Sequence, residues 1–158
     1  MAVVYIGIGS NLGDKKHNCE AAVNRMLHEG IQVQKISKPY CTKPWGVKNQ
    51  PDFVNTAVEA ETDLSPELLL SALKKIESEM GRHENMRWGP RIIDLDILFY
   101  DDRIISLPDL VIPHPLLHKR EFALLPLLEI AADLFHPVLN KSIRQLVNNL
   151  AEEERDEI

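Results

Sequence analysis

Two aspartates lie one residue apart in an otherwise apolar segment of this sequence. In Ile92–Phe99, Asp94 and Asp96 alternate with large apolar residues. Because successive side chains of a β-strand point to opposite faces, both carboxylates are expected on one face, about 7 Å apart at the backbone. The opposite face is expected to carry Ile93, Leu95, Ile97 and Phe99.

These two carboxylates need a cationic partner, because they repel each other and lose solvation on an apolar strand. Mg²⁺ is one candidate, since it prefers a couple of carboxylates together with waters and phosphate oxygens. The alternative is a purely structural pairing of the aspartates with neighbouring arginines. The Asp-x-Asp pattern by itself leaves both interpretations open.

An arginine-rich loop precedes the aspartates. Arg87 and Arg91 flank a Trp-Gly-Pro segment, and Arg82 lies a few residues upstream. The guanidinium group matches the geometry of a phosphate and can donate two hydrogen bonds to it. Three arginines that lead into two metal-binding aspartates therefore predict a triphosphate site. Trp88 either stacks on a base or pins the loop.

One histidine is held between two prolines. Pro113 and Pro115 restrict the backbone on both sides of His114 and so hold its imidazole in place. His118 lies four residues further on, which would suit a zinc pair on a helix. Pro115 and the lack of further ligands argue against zinc. A contact with phosphate or ribose is the functional interpretation of His114, and a capping or surface histidine is the structural one.

Three other residues suit the recognition of a flat heterocycle. Asn55 lies in a predicted strand, where asparagine is disfavoured, and its amide both donates and accepts hydrogen bonds. Phe53 and Phe122 could stack on a ring, although core packing is the favoured explanation of both when they are taken by themselves. Glu77, near the end of a predicted helix, either receives a hydroxyl or an amine or lies on a solvated face.

Apolar periodicity predicts the elements that position these groups. Strands are expected at Val3–Ile8, Ile31–Ile36, Phe53–Glu61, Ile92–Tyr100 and, as a short edge strand, Ile104–Leu107. Helices are expected from Asp14 to Gly30, from an N-cap at Ser65 to Gly81, at Ala123–Ala132 and at Ser142–Leu150. Residues 38–51 and 82–91 are expected to be loops. The order β-α-β-β-α-β is typical of the ferredoxin-like unit, with a largely antiparallel sheet and helices packed on it.

Composition narrows the function classes. The length of 158 residues suits one domain, and a net charge of −6 with 6% aromatic residues disfavours an RNA-binding ferredoxin-like module. No apolar run approaches the roughly 20 residues of a membrane span, and the N-terminus lacks a signal-peptide pattern. Cys19 and Cys41 are expected to be buried free thiols, which fits a reducing compartment. We therefore expect a cytoplasmic protein.

Several of these segments together resemble the 6-hydroxymethyl-7,8-dihydropterin pyrophosphokinase family of folate biosynthesis, over essentially the whole chain. The most specific segment is Arg87-Trp88-Gly89-Pro90-Arg91-Ile92-Ile93-Asp94-Leu95-Asp96-Ile97. The supporting segments are Gly9-Ser10-Asn11-Leu12-Gly13, Gln50-Pro51-Asp52-Phe53-Val54-Asn55, Val111-Ile112-Pro113-His114-Pro115, Arg120-Glu121-Phe122 and Pro126-Leu127-Leu128-Glu129-Ile130.

The resemblance implies an α+β fold, a three-layer αβα sandwich around the ferredoxin-like centre. A single pyrophosphokinase domain would span residues 1–158, with 151–158 as a frayed acidic tail. Its reaction would move the terminal pyrophosphoryl group of ATP to the hydroxymethyl group of the dihydropterin and release AMP. No cofactor beyond Mg²⁺ is implied.

The resemblance also implies a role for each matching residue. Two Mg²⁺ ions would be held by Asp94 and Asp96, which form the catalytic group with Arg82 and Arg91. The implied nucleotide contacts are Lys74, Glu77, Arg87, Trp88, Arg91, Ile97, His114 and Arg120. The implied pterin pocket consists of Asn11, Thr42, Pro44, Trp45, Phe53, Asn55 and Phe122.

Some residues depart from the family pattern. Lys74 stands where glutamine is expected, Phe53 stands where tyrosine is also familiar, and the segment 83–86 lacks an expected basic residue. The main rival is a palm-like Mg²⁺-dependent nucleotidyltransferase. That enzyme would release pyrophosphate and would need a further acidic ligand, for which Glu59 is the candidate. A monomer is expected, because no apolar interface stripe is evident.

Overall fold

The computed structural model describes residues 1–42, 52–81 and 92–156, with side chains as far as Glu153. Its helices are Lys15–His28 (α1), Pro66–Glu79 (α2), Glu121–Ala131 (α3) and Ile143–Asp156 (α4). Its strands are Ala2–Ser10 (β1), Ile31–Ile36 (β2), Tyr40–Thr42 (β3), Phe53–Thr62 (β4), Asp94–Tyr100 (β5), Ile105–Leu107 (β6), Leu110–Ile112 (β7), Phe135–His136 (β8) and Lys141–Ser142 (β9). A turn of 3-10 helix lies at Leu117–Lys119.

The main sheet has the predicted ferredoxin-like arrangement. Its strand order is β2-β4-β1-β5. The short strand β3 pairs with the part of the same edge of β4 that β2 does not reach. Every pairing in this sheet is antiparallel. The long strand β1 is central and lies between β4 and β5, so the two strands that carry Asn55 and the aspartates are both its neighbours.

Helices cover both faces of the sheet, which confirms the three-layer αβα sandwich. One core cluster joins the sheet to α1 and α2 through buried residues that include Ala22, Met26, Leu69, Leu73 and Ile76. The second joins the other face to α3 and α4 through Leu124, Leu127, Ile143 and Leu146. Burial of such side chains contributes roughly 1.5–3 kcal/mol each, so the sheet is held from both sides.

Helices α1 and α2 begin at residues whose side chains cap them. Asp14 caps α1 by accepting a hydrogen bond from the His17 backbone N–H. Ser65 caps α2 in the same way through Leu68 N–H, and Pro66 follows at the first helical position. These starts agree with the sequence prediction, because capping depends on residues that are adjacent in the chain.

A β-bulge in β5 changes which side chains share a face. Tyr5 of β1 lies opposite Phe99, but the next residue, Ile6, lies opposite Ile97, so Leu98 is an extra residue. As a result, Leu98 and Phe99 both pack on the α3–α4 side, whereas Ile97 packs on the α1–α2 side. The expectation that Phe99 would share a face with Ile97 is therefore wrong.

Other differences arise where pairing partners are distant in sequence. The predicted loop 38–51 contains β3, which forms only by pairing with β4. Differences of shorter range also occur: β6 was expected as a short edge strand, β7 and the β8–β9 hairpin were not predicted, and α4 extends to Asp156 instead of ending at Leu150. Cys19 is buried as expected, but Cys41 is exposed, because its neighbours Tyr40 and Thr42 take the covered face of the short strand.

The described helices were also assessed against the dimensions of a bilayer. Within residues 1–42, 52–81 and 92–156, none of them combines the length and the apolar character that crossing a membrane would require.

Candidate functional site

Three neighbouring strands bring Asn55 and the aspartates onto one face of the sheet. Gly9 of β1 lies opposite Asn55 of β4 on one side and opposite Asp94 of β5 on the other. Two residues earlier, Gly7 lies opposite Asp96. Because directly opposed residues of antiparallel strands share a face, the amide and both carboxylates project from the same side of the sheet. Both aspartates are partly exposed there.

The glycine between them is required by close packing. A Cβ atom at Gly9 would lie 2.9 Å from Asn55 Oδ1 and 3.5 Å from Phe53 Cδ1. Side chains from β4 therefore lean over the backbone of β1. The central strand forms a flat floor between the amide group and the carboxylates.

A short hydrogen bond fixes the orientation of the Asn55 amide. Its Nδ2 donates to Thr42 Oγ1 over 2.6 Å, and Thr42 itself lies opposite Phe53 in the β3–β4 pairing. Because the Asn55 nitrogen is the donor in this bond, its carbonyl oxygen remains an acceptor on the same face. Thr42, Phe53 and Asn55 thus form one wall of a polar and aromatic recess.

The start of α3 supplies an aromatic ring and a cation. Arg120 is the N-cap residue of α3, and its guanidinium carbon lies 5.5 Å from the centroid of the Phe122 ring. This distance is within the range of a cation–π contact. α3 packs on β3 and β4, so Phe122 belongs to the same side of the sheet as Asn55.

His114 is held near both Asp94 and Arg120. Its backbone N–H donates to the Leu98 carbonyl over 3.2 Å, which ties it to β5. Its Nδ1 accepts a hydrogen bond from the Leu116 N–H over 3.3 Å. Burial and the neighbouring Arg120 charge lower the pKa of His114 to about 4, while Asp94 acts in the opposite direction. The imidazole is therefore neutral near pH 7, with its proton on Nε2.

Glu77 is a buried carboxylate behind the aspartates. Only 6% of the residue is exposed, and its Oε2 accepts a hydrogen bond from the backbone N–H of Leu95 over 2.8 Å. Leu95 is the residue between Asp94 and Asp96, so Glu77 anchors the strand at the centre of the acidic pair. The alternative of a solvated face for Glu77 is thereby excluded, whereas Lys74, one turn earlier on α2, is exposed.

A tight turn after β1 closes one end of this face. Asn11 is fully buried. Asn18 of α1 donates from its amide nitrogen to Ser10 Oγ over 3.2 Å and to the Leu12 carbonyl over 2.9 Å. Asn18 therefore bonds to both chain neighbours of Asn11 and holds this turn against α1.

The remaining predicted residues are not brought into this group by the described structure. The Ile97 side chain is buried in the α1–α2 core, on the opposite face from the aspartates, so any nucleotide contact would have to use its backbone. The predicted residues that lie outside the described ranges are Pro44, Trp45, Arg82, Arg87, Trp88 and Arg91.

The donor set at Asp94 and Asp96 fits Mg²⁺. Within residues 1–42, 52–81 and 92–156, no three His, Cys, Asp or Glu side chains form a group that would hold a metal ion by themselves. Mg²⁺ usually retains waters and binds through one or two carboxylates plus substrate phosphates. Two carboxylates on one open face match that requirement.

The third acidic ligand of a palm-like enzyme has another role here. Glu59 accepts a hydrogen bond from the Tyr5 hydroxyl, and Tyr5 is buried in the core beside Phe99. Burial and this bond both raise the pKa of Tyr5. Glu59 therefore stabilises the α3–α4 core, and no three-carboxylate group of the palm type occurs among the described residues.

Sequence reasoning missed several residues that shape the site. Asn18 bonds to the turn that precedes its own helix. Tyr40 and Glu129 join segments that are far apart in the chain. Glu129 lies in one of the segments that carry the family resemblance, which was the available signal. Tyr40 lies in a predicted loop and gave none.

Comparisons with known proteins place this chain in a protein family. The model of the 7,8-dihydro-6-hydroxymethylpterin-pyrophosphokinase (HPPK) family matches residues 5–132. A 2-amino-4-hydroxy-6-hydroxymethyldihydropteridine pyrophosphokinase of Aquifex aeolicus is 45% identical over 145 residues, which cover 92% of this chain and 90% of that protein. Its Haemophilus influenzae counterpart is 42% identical over 153 residues, 96% of this chain and 95% of that protein.

A solved structure shows the same fold at lower sequence similarity. The crystal structure of Plasmodium falciparum HPPK-DHPS aligns with a TM-score of 0.78 at 18% identity. The alignment covers 99% of this chain but 46% of that longer chain. At this identity the likeness supports the three-layer fold alone.

Proposed function

The chain belongs to the 7,8-dihydro-6-hydroxymethylpterin-pyrophosphokinase family, and from this premise we propose its reaction and the roles of its residues. It is a pyrophosphokinase of folate biosynthesis that acts on 6-hydroxymethyl-7,8-dihydropterin, with ATP as co-substrate. The observation that carries the assignment to this site is the register across β4, β1 and β5. This register sets the Asn55 amide beside two carboxylates on one face.

The transfer exchanges one bond at phosphorus for another. The hydroxymethyl oxygen of the pterin forms a bond to the β-phosphorus of ATP. The bond between that phosphorus and the α,β-bridging oxygen breaks, AMP leaves with that oxygen, and the hydroxyl proton passes to solvent. The protein contributes chiefly by positioning the two substrates and by stabilising charge.

The carboxylates of Asp94 and Asp96 hold two Mg²⁺ ions in this proposal. Bound there, Mg²⁺ would neutralise negative charge on the phosphate oxygens. Glu77 acts from behind, because its bond to the Leu95 N–H fixes the backbone between the two aspartates.

The nucleotide phosphates lie towards His114 and Arg120. His114 is neutral near pH 7 and carries its proton on Nε2, so it donates one hydrogen bond to a phosphate oxygen without adding charge. Arg120 supplies the positive charge. The remaining nucleotide contacts that we propose are Lys74, Glu77, the backbone of Ile97, Arg82, Arg87, Trp88 and Arg91, of which the last four lie outside the described residues.

The pterin ring lies on the floor at Gly9. The amide oxygen of Asn55 accepts from the ring edge, while Thr42 holds that amide in place and offers a second polar group. Phe53 and Phe122 contact the two faces of the ring. Asn11 steadies the turn at one end of the pocket, and Pro44 and Trp45, outside the described residues, complete it.

We further propose that residues 1–158 form a single pyrophosphokinase domain that works as a cytoplasmic monomer. Residues 151–156 of the acidic segment 151–158 continue α4, which ends at Asp156. Analytical ultracentrifugation tests the monomer: a sedimentation coefficient that rises with protein concentration would contradict it.

The reaction is tested by resolving nucleotide products after incubation with ATP, Mg²⁺ and the hydroxymethyl dihydropterin. AMP that forms only with the pterin present, and that disappears on chelation of Mg²⁺, is the expected result. ADP or free pyrophosphate as the product would contradict pyrophosphoryl transfer.

The metal role is tested by Asp96→Ala. We expect turnover to fall by about 10²- to 10³-fold, because loss of one electrostatic group that acts in the transition state typically costs that much. Asp102→Ala serves as a matched control, because it removes an exposed aspartate from the turn that follows β5. Near-normal turnover of Asp96→Ala would remove this residue from the metal site.

A further inference from the structure

One carboxylate on α3 binds the segment that leads into β3 at two points. Glu129 Oε1 accepts from the Tyr40 hydroxyl over 2.8 Å, and Glu129 Oε2 accepts from the Lys38 backbone N–H over 3.0 Å. The Lys38 ammonium lies 5.4 Å from the centroid of the Tyr40 ring. Burial and the bond to Glu129 raise the pKa of Tyr40 to about 12, so the hydroxyl remains a donor at neutral pH. The two oxygens of one planar carboxylate thus hold two donors of this segment, and the two bonds together restrict how the segment can move relative to α3.

The same helix and the same strand carry two groups of the pterin pocket. Phe122 and Glu129 are seven residues apart in α3, so they lie on one face of the helix, about 10 Å apart along its axis. Tyr40 and Thr42 are two residues apart in β3 and share a face of that strand. The contact between α3 and β3 therefore has the pocket at one end and the Glu129 carboxylate at the other.

The strand pairing brings this carboxylate's partner directly beside the pocket. Tyr40 lies opposite Asn55, and Thr42 lies opposite Phe53. Asn55 in turn donates to Thr42. A shift of β3 relative to α3 would consequently move Thr42 and, through the 2.6 Å hydrogen bond, the Asn55 amide.

A proline makes this tertiary contact more important for Phe122. Pro126 lies inside α3 and has no N–H, so it cannot donate the usual hydrogen bond to the carbonyl of residue 122. The first turn of α3 is thus held to the rest of the helix by one hydrogen bond fewer. The orientation of that turn depends correspondingly more on contacts between α3 and the sheet.

We propose that Glu129 and Tyr40 are positioning residues for the pterin substrate. Their hydrogen bond sets the separation between Thr42 on β3 and Phe122 on α3, and with it the width of the pocket. The inference rests on the proposed function, because it needs the pterin to bind between these two elements. Its consequence is selective: loss of the bond releases β3, which carries Thr42, whereas α3 with Arg120 remains packed on β4, so pterin binding is affected and ATP binding is not.

Two variants remove the bond with little change in shape. Tyr40→Phe deletes the hydroxyl and keeps the ring that Lys38 covers. Glu129→Gln keeps the shape but leaves one acceptor oxygen in place of two and removes the charge that strengthens both bonds. Tyr100→Phe is the matched control, because it also deletes a hydroxyl that donates to a carbonyl, that of Leu64, over 2.6 Å, but it does so on the α1–α2 side of the sheet.

Steady-state kinetics with each substrate varied separates a positioning role from a structural one. Tyr40→Phe and Glu129→Gln are each expected to raise the KM for the pterin roughly 2- to 12-fold, the range that loss of one net hydrogen bond produces. KM for ATP and kcat should stay within about twofold of wild type. The double variant should raise the KM for the pterin no more than the more impaired single variant does, because both changes break the same bond. Tyr100→Phe should leave both KM values within about twofold.

The outcomes distinguish the inference from the function on which it rests. Asn55→Ala is included as a direct pocket variant. If it raises the pterin KM while Tyr40→Phe and Glu129→Gln do not, the positioning role is refuted and the proposed function stands. An equal rise in Tyr100→Phe would refute the positioning role as well, since general loosening would then explain the effect. If wild type forms no pterin-dependent AMP, the proposed function fails and the inference fails with it.

Discussion

A methyl group at position 9 would enter the floor of the proposed pterin pocket. In Gly9→Ala the new Cβ would lie 2.9 Å from Asn55 Oδ1, which is too close for a carbon and an oxygen that are not bonded. The Asn55 amide cannot simply rotate away, because its nitrogen is tied to Thr42 by a hydrogen bond of 2.6 Å. Either this bond breaks or the amide leaves the orientation in which it meets the substrate.

The size of the effect follows from the bond that is at risk. A net hydrogen bond contributes about 0.5–1.5 kcal/mol, which corresponds to a rise of roughly 2- to 12-fold in the KM for the pterin. The free energy of unfolding should change less. Replacing glycine in a strand interior recovers about 0.5–1 kcal/mol of backbone entropy, and Gly9 has no positive φ that alanine would resist.

Steady-state kinetics and urea denaturation of the same preparations test this prediction. Gly7→Ala is the matched control, because it lies on the same face of β1 and its Cβ would meet a mobile methyl group, Leu98 Cδ1, at 3.4 Å. We expect Gly7→Ala to keep the pterin KM within about twofold of wild type. A pterin KM for Gly9→Ala that matches that of Gly7→Ala would refute the close-packing argument.

Two further predictions concern stability. Glu77→Ala leaves the buried N–H of Leu95 without its carboxylate acceptor, so the free energy of unfolding in urea should fall by about 2 kcal/mol. Glu77→Gln keeps an acceptor oxygen and should lose less stability. Equal losses in the two variants would contradict the anchoring role. Burial lowers the pKa of His136, whose Nδ1 accepts from the Val138 and Leu139 N–H groups. The unfolded chain therefore binds the proton more readily, and stability is lost as pH falls below about 6.5. His136→Asn keeps an acceptor without the titration and should lose less stability than wild type between about pH 7.5 and pH 5; parallel pH profiles would refute this.

Features that depend on neighbours in the chain were predictable from sequence. The caps at Asp14 and Ser65 and the apolar stripe of α2 follow from local residue types, and the structure agrees with them. The common face of Asp94 and Asp96 follows from strand alternation alone. The ferredoxin-like order likewise followed from the succession of elements, because few topologies satisfy a β-α-β-β-α-β chain.

Features that depend on partners far along the chain were not predictable in this way. The bulge at Leu98 arises from the pairing of β5 with β1, and it moved Phe99 to the other core. β3 is a strand only because β4 pairs with it. The sequence left Glu77 open between a ligand contact and a solvated helix face, whereas the structure buries it against β5, where it accepts from the Leu95 N–H. In each case the deciding interaction joins residues that a local pattern does not connect.

The central claim is that the β- and γ-phosphoryl groups of ATP move together to the pterin at this site. It is tested most directly with ATP labelled with ³²P at either the β or the γ position, with the pterin product isolated after each incubation. We predict equal label in the product from both, unlabelled AMP, and loss of both signals in Asp96→Ala. Label in the product from the γ position alone would show simple phosphoryl transfer and would contradict the account.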